Sequence, residues 1–241
     1  MKVSLILVSY NEEKYAKDFF NSLKAQTRRT DEIILIDSSD DKTPDIARPF
    51  VDRIISTKPY TTGSQRNIGV QVSTGDILIF TDLDAILYPD WIEKLIEKFE
   101  DPEVNVVRGS VLYKEIKHKI PHKFTIIHHC NTAYRRKVLE EFPFDINCVH
   151  DDRDMNERVR KKYKIHGAPL AKVFHVGSFS KSSHKSKAKR YALADFYLAR
   201  KYRTLFMWVR PIINDFFAFF LELRFKFAIY HFWFYIKELF G

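Results

Sequence analysis

The stretch Asp76-Ile-Leu-Ile-Phe-Thr-Asp-Leu-Asp84 decides the fold of this chain. Its apolar run, Ile77 to Phe80, has the length and the β-branched content of a buried strand. Two carboxylates, Asp82 and Asp84, follow the run one residue apart. Open α/β sheets bind ligands beyond the C-terminal ends of their strands, and close carboxylates repel each other unless a cation lies beside them. The stretch therefore predicts a cation site that would suit a metal-bound diphosphate. An acidic turn that starts the next helix is the alternative.

Strands and helices alternate on the N-terminal side of this stretch. The predicted strands are Lys2–Tyr10, Glu32–Asp37 and Arg53–Ser56, and the predicted helices are Asn11–Lys24, a short one after Thr43, and Gly63–Val72. This order predicts a mostly parallel, Rossmann-like central sheet with helices on both faces. Ser9, Tyr10 and Asp37 would then share one edge of the sheet with the two aspartates, because parallel strands end at the same edge.

The C-terminal side continues with a helix over Pro89–Phe99 and strands over Asn105–Leu112, Phe124–Tyr134 and Ala171–Val176. The last of these strands carries His175, and a lone histidine in a strand is usually structural.

The segment His150–Arg160 (HDDRDMNERVR) is predicted to be helical. At helical spacing, Asp152 shares a side with Met155 and Val159, whereas Asp154 faces elsewhere. A carboxylate on the inward side of a helix is costly unless it has a partner or a chemical role. An acidic helix start stabilised by the helix dipole is the alternative interpretation.

Composition limits the functional classes. The chain has 241 residues, of which 45% are hydrophobic, so it can bury a core. Its formal net charge of +9 favours an anionic partner: nucleic acid, a membrane surface or a phosphorylated substrate. Two isolated cysteines, Cys130 and Cys148, indicate a reducing compartment, and no signal peptide is visible at the start. No glycine-rich dinucleotide fingerprint or P-loop occurs, and no nucleic-acid-binding motif accompanies the charge.

The end of the chain differs in character from the rest. Residues 178–190 are basic and serine-rich, and the chain from Leu205 onward is dense in Phe, Tyr and Trp. Its uncharged run, Phe227 to Ile236, is too short to cross a bilayer. Aromatic residues beside Lys and Arg suit the surface of a membrane. A packed helical pair and a homodimer interface through these helices are the alternatives.

Five motifs, in this order, resemble those of the family 2 glycosyltransferases with the GT-A fold. They are VSLILVSYNEE (3–13), EIILIDSSDDKT (32–43), GSQRNIGVQVSTGDILIFTDLDAILYPDWIEKL (63–95), CNTAYRRKVLEEFPFD (130–145) and HDDRDMNERV (150–159). The resemblance runs from Lys2 to about Val176. It implies a GT-A catalytic domain over residues 1–178. The composition of residues 179–241 predicts a basic and then aromatic-rich helical appendage.

The resemblance implies an inverting, hexosyltransferase-type enzyme that moves a sugar from a nucleoside diphosphate sugar to a hydroxyl acceptor. Asp84 would bind Mg²⁺ or Mn²⁺, Asp82 would contact the metal or the ribose, and His175 would lie near the metal or the diphosphate. The implied activity, together with the basic and aromatic tail, suggests a lipid-linked saccharide as acceptor and a peripheral position on the cytoplasmic face of a membrane.

The resemblance also implies roles for donor-binding and catalytic residues. Asp37 would hold the nucleoside in a pocket lined by Ser9 and Tyr10, with Arg66 nearby. Asp152 would be the general base that deprotonates the acceptor hydroxyl, which agrees with its predicted inward position.

Two positions depart from the usual motifs. Ser38 stands where some relatives have a second aspartate at the base, and Asp151 replaces a glutamate. Two further hypotheses are a nucleotidyltransferase-like enzyme and a non-catalytic protein that binds sugar nucleotide or nucleic acid. The first would need a glycine-rich phosphate loop after the first strand, and none is present.

Overall fold

A computed structural model of the protein describes residues 1–58, 61–113, 129–176, 184–203 and 225–240. The chain divides into two compact units. The first unit consists of Met1–Ile146 and Met155–Gly177, and the second consists of Asn147–Asp154 and Ser178–Gly241. Among the described helices, none combines the length and the apolar character needed to cross a membrane.

The strands of the described residues belong to one eight-stranded sheet. They are β1 (Val3–Ser9), β2 (Glu32–Asp37), β3 (Arg53–Ser56), β4 (Ile77–Asp82), β5 (Ala85–Leu87), β6 (Val106–Tyr113), β7 (Thr132–Arg135) and β8 (Ile165–His175). Their order across the sheet is β3-β2-β1-β4-β7-β6-β8-β5.

The helices flank the sheet or form the end of the chain. They are α1 (Glu13–Lys24), α2 (Thr43–Ala47), α3 (Thr62–Val72), α4 (Trp91–Ile96), α5 (Arg136–Glu141), α6 (Asp151–Val159), α7 (His184–Tyr202) and α8 (Phe225–Phe240). Two short 3₁₀ segments, Glu97–Glu100 and His129–Asn131, complete the described elements.

The predicted α/β fold is confirmed. β3, β2, β1 and β4 pair in parallel, β7 joins antiparallel to β4 and β6, and β8 runs parallel to β6. The short strand β5, which pairs antiparallel with β8, was not predicted. Of the strand predicted over Phe124–Tyr134, residues 124–128 lie outside the described part, and β7 begins only at Thr132. β8 begins six residues before the predicted start at Ala171.

Both faces of the central strands are covered, which explains their continuous apolar sequence. In β1, Leu5 and Leu7 pack with Phe19 and Phe20 of α1 in one core cluster. Ile6 points to the opposite face and packs in a second cluster with residues of α3, α5 and α6.

One glycine sets the distance between α3 and the sheet. A Cβ on Gly69 would collide with Cγ2 of Ile6 in β1. Because Gly69 has no side chain, α3 approaches β1 closely, and its residues Gln65 and Arg66 are held at the edge where the strands end.

Candidate metal and nucleotide site

Strand pairing brings the two aspartates and His175 together. β4 ends at Asp82, which lies opposite Val8 of β1 in the parallel register. After the turn, β5 pairs with β8 so that Ala85 faces His175. The backbone N–H of Val176 donates a hydrogen bond to the carbonyl oxygen of Asp84 over 2.8 Å. The unpredicted strand β5 is therefore the element that places His175 beside the acidic pair.

The three side chains form a group suited to a metal ion. One ligand atom from each of Asp82, Asp84 and His175 lies within 4.8 Å of the others. Nε2 of His175 is 3.4 Å from Oδ1 of Asp84, and both side chains are about one-fifth exposed. Carboxylate oxygens are the ligands that Mg²⁺ and Mn²⁺ prefer, and imidazole is a common ligand of transition metals. The donor set thus fits the predicted metal, and its partial exposure leaves room for ligands from a substrate.

Arg66 of α3 is a cation that contacts this group. Its guanidinium lies 3.3 Å from Oδ1 of Asp82, and its side chain is 5% exposed. The same guanidinium lies 5.9 Å from the centre of the Phe144 ring. Arg66 and Asp82, both predicted to bind the donor, are therefore in direct contact.

Glu12 is a member of this site that the sequence analysis missed. Burial, followed by the charges of Asp84, Asp82 and Asp41, raises the pKa of its carboxyl from 4.5 to about 7. Three of these carboxylates, Glu12, Asp82 and Asp84, therefore share a region of strongly negative potential. The available signal was the Asn-Glu-Glu sequence one residue after the end of β1, which is also typical of an ordinary acidic helix start.

Ser9 and Asp37 meet at the ends of β1 and β2, where they are paired in register. The hydroxyl of Ser9 donates to Oδ1 of Asp37, and so does the hydroxyl of Ser39 over 2.7 Å. Asp37 is 2% exposed, whereas Tyr10, the next residue of the β1 loop, is 56% exposed. The predicted nucleoside residues thus consist of a buried, hydrogen-bonded pair and an exposed aromatic ring.

Gln65 fixes the position of Ser38. Its amide nitrogen donates to the Oγ of Ser38 over 2.9 Å and to the carbonyl oxygens of Ser9 and Ile36 over 3.1 Å each. Oγ of Ser38 also lies 2.9 Å from Oγ1 of Thr57. The residue that departs from the usual motif is therefore held in a hydrogen-bond network.

Asn11 joins the loops that follow β1 and β2. Its φ of 57° lies in the left-handed region, which asparagine tolerates better than most residues. Its Oδ1 accepts a hydrogen bond from the N–H of Asp40, and its own N–H donates to Oγ of Ser39. The prediction that Asn11 caps α1 was wrong, because the side chain binds the neighbouring loop and α1 begins at Glu13.

The predicted base, Asp152, lies in the first turn of α6 and in the second unit of the chain. It is half-buried, and Met155 and Val159 on its predicted side are buried. Asp154, which was predicted to face away from that side, is fully buried as well. Its Oδ1 accepts hydrogen bonds from Lys201 over 2.6 Å and from the Tyr202 hydroxyl over 2.7 Å.

Comparison with known proteins finds relatives of this chain among glycosyltransferases. Residues 4–115 match the family model described as Glycosyl transferase family 2. The O-antigen chain rhamnosyltransferase RfbN of Salmonella typhimurium is 31% identical over 155 residues, which are 61% of this chain and 47% of that protein. The glucosyl-dolichyl phosphate glucuronosyltransferase of Haloferax volcanii is 27% identical over 180 residues, 71% of this chain and 52% of that protein. The matched part therefore spans about half the length of each relative.

The fold is also found among solved structures. A mannosyltransferase from Pyrobaculum calidifontis, solved with GDP-mannose and Mn²⁺, superposes with a TM-score of 0.67 at 20% identity. The superposition covers 83% of this chain and 64% of that one. The predicted GT-A fold and the predicted resemblance to family 2 are both confirmed.

Proposed function

We propose that this chain is a metal-dependent, inverting glycosyltransferase, and the match of residues 4–115 to the model of Glycosyl transferase family 2 supports this. It transfers a sugar from a nucleoside diphosphate sugar to a hydroxyl acceptor. The observation that carries the proposal is the convergence of Asp82, Asp84 and His175 at one edge of the sheet.

The metal site holds the donor's diphosphate. Asp84 and His175 provide metal ligands, and Asp82 provides a further ligand or contacts the ribose. A bound Mg²⁺ or Mn²⁺ would neutralise negative charge on the diphosphate and on the nucleotide that leaves. The P. calidifontis enzyme was solved with both Mn²⁺ and a nucleotide sugar, which supports this assignment.

The loops after β1 and β2 hold the nucleoside. Tyr10 offers an exposed ring for stacking on the base, and Asp37 offers a carboxylate fixed by Ser9. Arg66 lies against Asp82, where its charge also stabilises a phosphate.

Asp152 acts as the general base. A hydroxyl is a weak nucleophile until its proton is removed, and a half-buried carboxylate can accept that proton. The acceptor oxygen then bonds to the anomeric carbon while the bond from that carbon to the diphosphate oxygen breaks. The proton goes to Asp152 and the bond electrons go to the leaving nucleotide. Because the acceptor oxygen attacks in one step from the face opposite the leaving diphosphate, the configuration at the anomeric carbon inverts.

The acceptor is a lipid-linked saccharide on the cytoplasmic face of a membrane. The basic and aromatic composition of residues 179–241 supports this part of the proposal. One relative is named for action on a glucosyl-dolichyl phosphate, which is a lipid-linked sugar.

Calorimetric titration tests the proposal. UDP, GDP and their sugar conjugates are titrated into the full chain with Mn²⁺, and again with EDTA. We expect binding to the nucleotides of one base, lost with EDTA and in Asp84→Ala. The control is Asp76→Ala, which removes an acid at the opposite end of β4 and should keep full binding. Absence of binding to every nucleotide would refute the proposal.

A further inference from the structure

Among the described side chains of helix α8, several large apolar residues are exposed, whereas a histidine and a tyrosine are buried. Ile229, Phe232 and Trp233 are 45%, 44% and 55% exposed, and at 100° per residue they form one stripe. His231 and Tyr235, on the other side of the helix, are buried. A surface helix in water usually turns its large apolar residues towards the core, and an exposed apolar patch marks an interaction site.

Polar contacts within the second unit fix this orientation. Nε2 of His231 lies 3.2 Å from Oδ2 of Asp195 in α7, and Asp195 also contacts Arg153. Tyr235 is fully buried, and that burial raises its pKa to about 12. A rotation of α8 that hid the stripe would expose these groups and break the contact to Asp195. The buried contacts of His231 and Tyr235 therefore keep the apolar stripe of α8 exposed.

A cavity of about 420 Å³ lies beside α7 in the same unit. Lys189 and Arg190 line it together with the apolar residues Val149 and Leu193. Nζ of Lys189 lies 6.0 Å from the ring centre of Phe234, so the basic wall of the cavity adjoins α8. Two cations beside apolar walls match a ligand that has a phosphate and a hydrocarbon part.

Exposed charge around the stripe is mostly positive. Among the described side chains of α7 and α8, the exposed cations outside the Lys201–Asp154 ion pair are Lys189, Arg190, Arg200 and Lys237, and the exposed acid is Glu238. Nζ of Lys237 lies 5.6 Å from the ring centre of Trp233. A second copy of this face would bring these cations together, whereas an anionic surface would neutralise them.

We infer that the stripe and the Lys189–Arg190 cavity form a docking surface for a bilayer of anionic phospholipid. The stripe of Ile229, Phe232 and Trp233 enters the interface between headgroups and acyl chains. Lys189 and Arg190 bind the phosphate of a lipid headgroup. The inference rests on the proposed function. It extends that function by naming the surface that brings the enzyme to a lipid-linked acceptor.

Vesicle flotation of the full chain tests the inference. Vesicles of phosphatidylcholine alone are compared with vesicles that also contain phosphatidylglycerol. We expect flotation only with the anionic vesicles. Phe232→Ser/Trp233→Ser and Lys189→Glu/Arg190→Glu should each weaken binding at least about tenfold. The matched controls, Leu170→Ser and Lys98→Glu, change an exposed apolar residue and an exposed cation of the first unit and should float like the wild type.

Flotation of both stripe and cavity variants at wild-type affinity would overturn the inference, and so would absence of flotation of the wild-type chain. A dimer in sedimentation velocity that disappears in Phe232→Ser/Trp233→Ser, without lipid binding, would show that a second copy covers the stripe. Glycerol phosphate is added as a competitor to test whether the cavity binds free phosphate. Complete displacement of the protein from vesicles by glycerol phosphate would also contradict bilayer docking. Calorimetry with nucleotide and Mn²⁺ on the same variants separates failure of the docking inference from failure of the proposed function, because nucleotide binding should persist when membrane binding is lost.

Discussion

Two groups of carboxylates in this molecule differ in how their charge is balanced. In the first unit, Glu12, Asp82 and Asp84 lie close enough that the aspartates help to raise the pKa of Glu12 to about 7. In the second unit, Asp154 contacts Lys201, and Asp195 contacts Arg153 and His231. The first group we call the open acidic site and the second the internal ion-pair cluster.

We expect this difference to separate acids that bind ligands from acids that stabilise the fold. Buried carboxylates with cationic partners stabilise one packing arrangement, and removal of a partner leaves an uncompensated charge. Carboxylates placed side by side cost stability, and such an arrangement is typical of sites that recruit a cation. Mutations in the two groups should therefore have opposite effects on ligand binding and on stability.

The sharpest contrast lies within α6, between Asp152 and Asp154. We expect Asp152→Asn to lower the transfer rate by about 10³-fold, because the variant cannot take the acceptor's proton. Donor binding by calorimetry should stay unchanged. The control is Asp154→Asn, which weakens the contacts to Lys201 and Tyr202. We expect its melting temperature to fall, whereas the transfer rate of the folded enzyme should stay close to that of the wild type. Full activity in Asp152→Asn would remove Asp152 from the role of base.

In the open acidic site, Asp84→Ala tests the metal. We expect Mn²⁺-dependent donor binding to weaken by about 100-fold, because one of the protein ligands is lost. The melting temperature of the metal-free protein should not fall, since the change relieves repulsion with Glu12. Calorimetry and thermal unfolding measure the two effects. A large loss of stability with donor binding intact would mean that Asp84 stabilises the fold and does not bind the metal.

In the internal ion-pair cluster, Asp195→Ala should show the reverse behaviour. The change leaves Arg153 without one of its carboxylate contacts in a buried environment, which typically costs about 3 kcal/mol or more. Thermal and urea unfolding measure this loss. The exposed acid Glu238 provides a control, and Glu238→Ala should stay within about 0.5 kcal/mol of the wild type. Equal stability of the two variants would contradict the distinction between the groups.

His150 adds a pH dependence to the internal ion-pair cluster. Burial, followed by the charge of Arg153, lowers its pKa to about 4. Because the folded-state pKa lies below the ordinary value of 6.5, the unfolded chain binds more protons between these values. The contribution of His150 to stability is therefore present above pH 6.5 and is lost as the pH falls towards 4. His150→Gln should reduce this acid sensitivity in thermal unfolding between pH 7 and pH 4.

Much of the first unit could be predicted from the sequence because its signals are local. The apolar runs of β1, β2 and β4 and the helical periodicity of α1 and α3 depend on residues close together in the chain. The Asp82–Asp84 pair could be found for the same reason. The family motifs then pointed to Arg66 and His175, which no periodicity would have joined to that pair.

Features that depend on distant contacts could not be predicted. β5 has only three residues, and it exists because β8 pairs with it. The burial of Asp154 depends on Lys201, 47 positions later in the chain. Glu12 was missed since an acid before a helix is common, and only the fold brings it near Asp82 and Asp84.

Glu12 therefore provides the finest test of the open acidic site. Below a pH of about 7 its carboxyl carries a proton that a nearby metal cation would displace, so Mn²⁺ affinity should fall as the pH drops. Glu12→Gln resembles the protonated form. We expect it to bind Mn²⁺ about threefold more weakly than the wild type at pH 8, and almost equally at pH 6.

Stability gives an independent readout with a defined sign. In the metal-free protein the folded-state pKa of Glu12 lies above its ordinary 4.5, so deprotonation between these values favours unfolding. Stability should fall as the pH rises from 4.5 to about 7, and Glu12→Gln should remove that fall. The matched control is Glu13→Gln, the exposed neighbour in α1, which should leave both profiles unchanged. A pH profile shared by all three proteins would mean that Glu12 does not sense the charge of Asp82 and Asp84, and that the open acidic site consists of the two aspartates and His175 alone.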